Sequence, residues 1–221
     1  MEKEFWKSAW NEGKTGFHRD DFHPELIEFF PKLNIQKTAK VLVPLSGKSK
    51  DLLWLSHNDY YPFGVEVVPQ AVSEFFSENK METPTLEKRG PLDIYTHEAN
   101  TVIQGSFFDL KEQGFKGYFD SFYCRASIVA LPKAMRKDYA DTLNQLLFKG
   151  AQGLMITFEY DQTLVGGPPF SVEEKEVHEL FSHNFEIIKL DSKSQKPKAG
   201  KFKDSGIPSF TQVVYQLVKT S

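Results

Sequence analysis

Apolar positions along the chain fall into two modes. Short, nearly unbroken apolar stretches bounded by turn residues predict seven buried strands: Val41 to Leu45, Pro62 to Val67, Thr101 to Gly105, Tyr118 to Cys124, Gly153 to Tyr160, Phe185 to Asp191 and Phe210 to Val218. Between them, apolar residues recur at helical spacing. Leu26, Phe29, Phe30 and Leu33 follow His23-Pro24, and Val72, Phe75 and Phe76 follow Pro69. Met135, Tyr139, Leu143, Leu146 and Leu147 follow Pro132, and further helices are predicted over Ser49 to His57 and Glu173 to His183. Alternating strands and helices with right-handed crossovers predict an α/β fold. Strands six and seven are joined by a loop alone. The expected architecture is therefore a Rossmann-like seven-stranded, mostly parallel sheet with a C-terminal antiparallel hairpin and helices on both faces. Residues 80–100, with Pro84, Gly90 and Pro91, break the rhythm and predict a long loop of the kind that covers active sites. A lysine-rich loop is predicted between Lys193 and Lys203.

Composition narrows the class. At 221 residues, 40% hydrophobic and 14% aromatic, the chain can bury the core of one large domain over residues 1–221. A net charge of −3 draws it to neither nucleic acid nor an anionic membrane. Its single cysteine, Cys124, allows no internal disulfide and suits a reducing compartment. No apolar run approaches the ~20 residues that span a bilayer, and the charged N-terminus MEKEFWKSAWNEGK lacks a secretory h-region. The expectation is a monomeric cytoplasmic protein with no nucleic-acid or membrane partner. Residues 1–23 form an arm in which Trp6 and Trp10 share a helical face. That face either docks the arm on the core or makes it a lid over a ligand.

The stretch from Ala39 to Glu66 concentrates the candidate chemistry. A buried strand runs into a turn at Gly47, a helix follows, and a second strand ends on Glu66. A turn and helix N-terminus of this kind offer backbone N–H groups to an anion, and a carboxylate at the second strand's tip can grip a ribose diol. The turn has one glycine, so it lacks the G-x-G-x-x-G of a pyrophosphate site. Gly47-Lys48-Ser49 matches the tail of a P-loop, but the first glycine of that motif would fall at Leu42, inside the strand. An ordinary βαβ turn is the plain alternative. A ligand with a small carboxylate and a ribose fits better than a dinucleotide, and S-adenosylmethionine has those parts. Glu66 would take the ribose. Arg125 would fork the methionine carboxylate. Leu45 with Phe107 or Phe108 would line the adenine, and Trp10 or Tyr160 would face the sulfonium. Seven strands closing on a hairpin also match the class I methyltransferase sheet better than a dehydrogenase. Arg125 and Lys201 are the candidates for stabilising a thiolate acceptor. The histidines at 18, 23, 57, 97, 178 and 183 show no metal-ligand spacing. A structural role fits His18 better than catalysis, and Cys124 reads as a buried, inert thiol.

Taken in order, seven segments resemble the thiopurine S-methyltransferase family. They are W-x-x-x-W-x-x-G-x-x-x-F-H (Trp6 to His18), V-P-L-S-G-K-S (Val43 to Ser49), G-V-E (Gly64 to Glu66), F-F-D-L (Phe107 to Leu110), R-A-S-I-V-A-L-P (Arg125 to Pro132), Y-A-D-T-L (Tyr139 to Leu143) and G-G-P-P-F (Gly166 to Phe170). The resemblance implies an S-adenosylmethionine-dependent methyltransferase acting on a small thiol, or on selenium or tellurium species. It implies that Trp10, Leu45, Glu66 and Arg125 contact the cofactor, and it favours the lid reading of Trp10. Three departures stand out. Ser46 replaces a common cysteine, and Cys124 replaces the aspartate before the arginine. In the last loop, Lys201 stands for an arginine near the acceptor and Ser205 for a tryptophan or arginine. Lysine keeps the charge but loses the planar fork, so thiopurine as substrate does not follow. Halide or hydrogen-sulfide methylation is the alternative chemistry. A non-catalytic module that senses the cofactor is the alternative class.

Overall fold

In a computed structural model of the protein, residues 3–197 and 200–221 are described. The strands are β1 (Lys40–Pro44), β2 (Tyr61–Glu66), β3 (Thr85–Arg89), β4 (Leu92–His97), β5 (Asn100–Gln104), β6 (Phe119–Cys124), β7 (Leu147–Glu159), β8 (Phe185–Gln195) and β9 (Phe210–Lys219). The helices are α1 (Lys3–Asn11), α2 (Pro24–Phe29), α3 (Asp51–His57), α4 (Pro69–Glu78), α5 (Lys133–Leu146), α6 (Glu174–Phe181) and α7 (Gly200–Asp204).

All nine strands form one sheet in the order β3-β4-β5-β2-β1-β6-β7-β9-β8. The five strands from β5 to β7 are parallel, and an antiparallel pair closes each edge. β1 is buried on both faces. Leu42 joins the core under α5 and α6, while Val41 and Val43 join the opposite core under α2, α3 and α4. Burial on both faces is why this strand reads as a continuous apolar run. The chain leaves β1 toward β2 on one side and meets β6 on the other. The switch point therefore lies at the carboxyl ends of β1, β2 and β6, where open α/β sheets bind ligands.

The fold class is as expected, but the sheet has nine strands where seven were predicted. The predicted loop 80–100 is the β3–β4 hairpin. Its two-residue turn is Gly90-Pro91, with Gly90 at φ +57°, the left-handed conformation such turns require at their first central position. β3 reads Thr-Leu-Glu-Lys-Arg and is exposed almost throughout. A charged edge strand of this kind guards against pairing with other chains and carries little hydrophobic signal. The predicted lysine-rich loop is also shorter than expected, because β8 runs to Gln195 and α7 begins at Gly200. Of the four residues left between them, Lys198 and Ala199 lie outside the described residues.

Candidate active site

Glu66 ends β2 with its side chain 7% exposed. Oε2 accepts the Gly47 N–H at 2.9 Å and Oε1 accepts the Val68 N–H at 2.7 Å. Burial raises its pKa, while the amides of Val68, Gly47 and Val67 pull it back down. Each oxygen retains a lone pair that can accept from a hydroxyl. The turn after β1 is organised around this carboxylate. Leu45 (φ +51°) and Gly47 (φ +54°) both take the left-handed conformation, and Ser46 N–H donates to the Val65 carbonyl. The expected free anion cradle is thereby corrected. The amides of Gly47, Ser49 and Asp51 are committed to Glu66, the Ser46 carbonyl and the Ser49 hydroxyl. Lys48, the P-loop lysine by motif, instead pairs with Glu74 at 2.7 Å and Glu78 at 2.6 Å on α4.

The N-terminal arm packs onto this turn. Trp10 is 4% exposed and shares a cluster with Val68, Ala71, Trp6 and Phe17. A Cβ on Gly47 would stand 3.2 Å from Trp10 Cζ2 and 3.9 Å from Phe17 Cε2. Glycine at this position thus lets the indole lie directly against the backbone. The aromatic faces gathered here suit a cationic ligand group. A cleft of 780 Å³ lies farther along, between α4 and the β3–β4 hairpin; its lining includes Gln104 but not Glu66 or Gly47.

On the other side of the switch point, Arg125 follows β6 and is half-buried, with Ala126 turning the chain at φ +54°. Among the described residues its guanidinium makes no hydrogen bond or ion pair. Phe107 and Phe108 begin a 3-10 turn after β5 that Ser106 caps. The Phe107 ring is buried 5.1 Å from that of Tyr139, while Phe108 is half-buried. Cys124 is fully buried and receives a hydrogen bond from Tyr139 Oη at 3.0 Å. Burial pushes its thiol up to about 12.

Lys201 lies on α7, and its ammonium donates to the Gly167 carbonyl. Phe202 packs at 4.8 Å against Tyr160, whose hydroxyl donates to the Pro169 carbonyl at 2.6 Å. Tyr160 is therefore tied to the Gly-Gly-Pro-Pro loop. That loop is anchored in turn by Phe170 N–H on the Val129 carbonyl at 2.6 Å. Buried Arg136 adds hydrogen bonds to the Leu131 and Ser171 carbonyls and an ion pair to Glu176 at 2.7 Å.

Trp10, Leu45, Gly47 and Glu66 are thus brought to the carboxyl ends of the central strands β1 and β2, with Phe107, Phe108 and Arg125 following the neighbouring strands β5 and β6. Lys201 is tied to the Gly167 loop, which is anchored on Val129 beyond β6. Sequence reasoning missed the Lys48–Glu74–Glu78 cluster. It also missed Phe17 as a cover for the turn, although Phe17 stands beside Trp10 in the aromatic spacing of the arm. A buried strand-tip carboxylate with two free lone pairs, a glycine that admits an indole and an unpaired arginine fit the ribose, sulfonium and carboxylate of S-adenosylmethionine.

The sheet and this site define a class I S-adenosylmethionine-dependent methyltransferase. Solved structures share the fold. One is the 1,6-didemethyltoxoflavin-N1-methyltransferase of Burkholderia thailandensis with S-adenosylhomocysteine bound (16% identity, TM-score 0.66, 99% of this chain and 87% of that one). Another is an arsenic(III) S-adenosylmethionine methyltransferase of Chlamydomonas reinhardtii (15% identity, TM-score 0.60, 83% and 64%). The chain belongs to the thiopurine S-methyltransferase family, whose model matches residues 1–220. It is 39% identical to the thiopurine S-methyltransferase of Pseudomonas fluorescens strain SBW25, over 99% of each chain. It is 37% identical to a probable thiopurine S-methyltransferase of Yarrowia lipolytica, over 96% of this chain and 98% of that one. Its cofactor is S-adenosylmethionine. Among the described residues, no helix is long and apolar enough to cross a membrane.

Proposed function

We propose that this enzyme methylates the sulfur, or selenium or tellurium, of a small thiol-type acceptor, and that it works as a monomer with residues 1–23 as a lid. Bound S-adenosylmethionine supplies an electrophilic methyl group. The residues that would hold it are Glu66 at the ribose, Arg125 at the carboxylate, Leu45 and Phe108 along the adenine, and Trp10 beside the sulfonium. Phe107 backs that surface from the core.

The observation that carries the acceptor reading is the half-buried Arg125 guanidinium, which has no ion-pair partner among the described residues. A guanidinium carries five donors, so Arg125 can hold the cofactor carboxylate and still turn a free N–H toward an anionic acceptor such as a thiolate. Lys201, held to the Gly167 carbonyl on the opposite loop, would border the acceptor rather than the cofactor. The names of the relatives point to sulfur as well. Once the acceptor is a thiolate, the chain has only to position it in line with the methyl group.

The test is methyl transfer measured across thiophenol, an alkyl thiol, a selenol, hydrosulfide and iodide, after calorimetric titration with S-adenosylhomocysteine. Faster turnover of thiophenol and the selenol supports the proposal. Preference for iodide or hydrosulfide would favour a halide-type site instead. Cofactor binding without transfer to any of them would point to a binding module.

A further inference from the structure

The arm carries a second feature that the cofactor does not use. The His18 N–H bonds the Thr15 carbonyl at 2.7 Å, closing a tight turn. Phe17, one residue earlier, packs at 5.7 Å against the rings of both Trp6 and Trp10 and reaches the Gly47 turn. His18 is thereby held at the rim of the site, its side chain 16% exposed and Nε2 3.8 Å from Asp20 Oδ1. Four charged groups act on it. Lys48 comes from the turn after β1, Glu78 from α4, Arg125 from the end of β6 and Asp20 from its own segment. Burial and the positive charges of Lys48 and Arg125 hold its pKa below the ordinary histidine value, against the opposing pull of Asp20 and Glu78. Near neutral pH the imidazole is therefore uncharged and able to accept a proton.

The other groups at this edge are unsuited to that task. An arginine does not lose its proton in proteins. Lys48 is locked between two glutamates. Glu66 already accepts two backbone amides and is assigned to the ribose. Cys124 and Tyr139 are fully buried.

We propose that His18 is a catalytic base: it takes the proton of the acceptor thiol as the methyl group is transferred, while Arg125 stabilises the sulfur anion. This rests on the sulfur-acceptor reading above. The S–H bond breaks and its proton passes to the imidazole. The sulfur pair forms the new bond to the methyl carbon as the old bond to the donor sulfonium breaks, that pair remaining on the donor sulfur. The imidazolium then returns its proton to water.

The experiment compares wild type with His18→Gln across thiols of graded acidity. The series runs from 4-nitrothiophenol, already a thiolate at the assay pH, through 4-methoxythiophenol to 2-mercaptoethanol, which is mostly protonated. The variant is expected to lose about tenfold or more in kcat on 2-mercaptoethanol and nothing on 4-nitrothiophenol. The wild-type fall in kcat on the acid side, as the imidazole gains its proton, should vanish in the variant. Titration with S-adenosylhomocysteine reports whether the arm still closes on the site. Equal loss across the series, or no loss, overturns the role of His18 while leaving the sulfur reading intact. A wild type that methylates none of these thiols overturns both.

Discussion

Glu66 and Gly47 are tied across the switch point: the carboxylate at the tip of β2 accepts the amide of the turn that leaves β1, at 2.9 Å. One side chain thus shapes the turn and, in the proposed site, would accept the ribose. Glu66→Ala leaves the buried amides of Gly47 and Val68 without partners, at a cost of about 1–3 kcal/mol each, offset in part by removal of a buried charge. We expect a modest fall in Tm and at least a tenfold loss of S-adenosylhomocysteine affinity, about 1.4 kcal/mol, read by calorimetry. Unchanged affinity would refute the ribose assignment. The pH dependence follows from the raised pKa. The folded state holds the Glu66 proton to higher pH than the unfolded chain does. This residue's contribution to stability is therefore full below the ordinary value of 4.5 and is lost as pH rises through the folded value. Glu66→Ala should lose that slope.

Gly47→Ala is expected to act on the arm. At φ +54° an L-residue costs about 1–2 kcal/mol, and the added methyl would stand 3.2 Å from Trp10 Cζ2. The indole must shift outward. Tryptophan emission should move to the red, with weaker cofactor binding, while the parallel strands stay intact by circular dichroism. An unmoved spectrum would mean that the arm does not rest on this turn in solution.

Cys124 is expected to resist alkylation. With its thiol pushed up to about 12 by burial, iodoacetamide at pH 8 should leave the native protein unmodified and label it once denatured. Rapid labelling of the folded enzyme, followed by mass spectrometry, would contradict this packing.

The sequence made the parallel strands legible because their apolar runs are buried on both faces. α4 was legible because Val72, Phe75 and Phe76 mark one side and Pro69 its start. Glu66 could be read because its distance from the Gly47 turn is set by the geometry of a single strand–helix–strand unit. The β3–β4 hairpin was hidden, since an exposed edge strand such as Thr85–Arg89 has no apolar face to show. The commitment of the Gly47 amide to Glu66 was hidden too, because side-chain to backbone bonds between neighbouring strands leave no periodic trace. The setting of His18 depends on charges contributed by α4, the β1 turn and the end of β6. Of these charges, only Asp20 is close to His18 in sequence.

The place of β9 has a consequence for how the protein is made. β9 sits between β7 and β8, pairing Gln152 with Val218 and Phe185 with Lys219. While a ribosome is still adding residues 210–219, the long β7 has an open edge and β8 has no neighbour to join. Nascent chains therefore expose a pairing surface until late in synthesis, when they are most prone to stick to one another. Loss of β9 by early termination would leave that surface uncovered for good, and such products should go to chaperones or proteases rather than to a partly active enzyme.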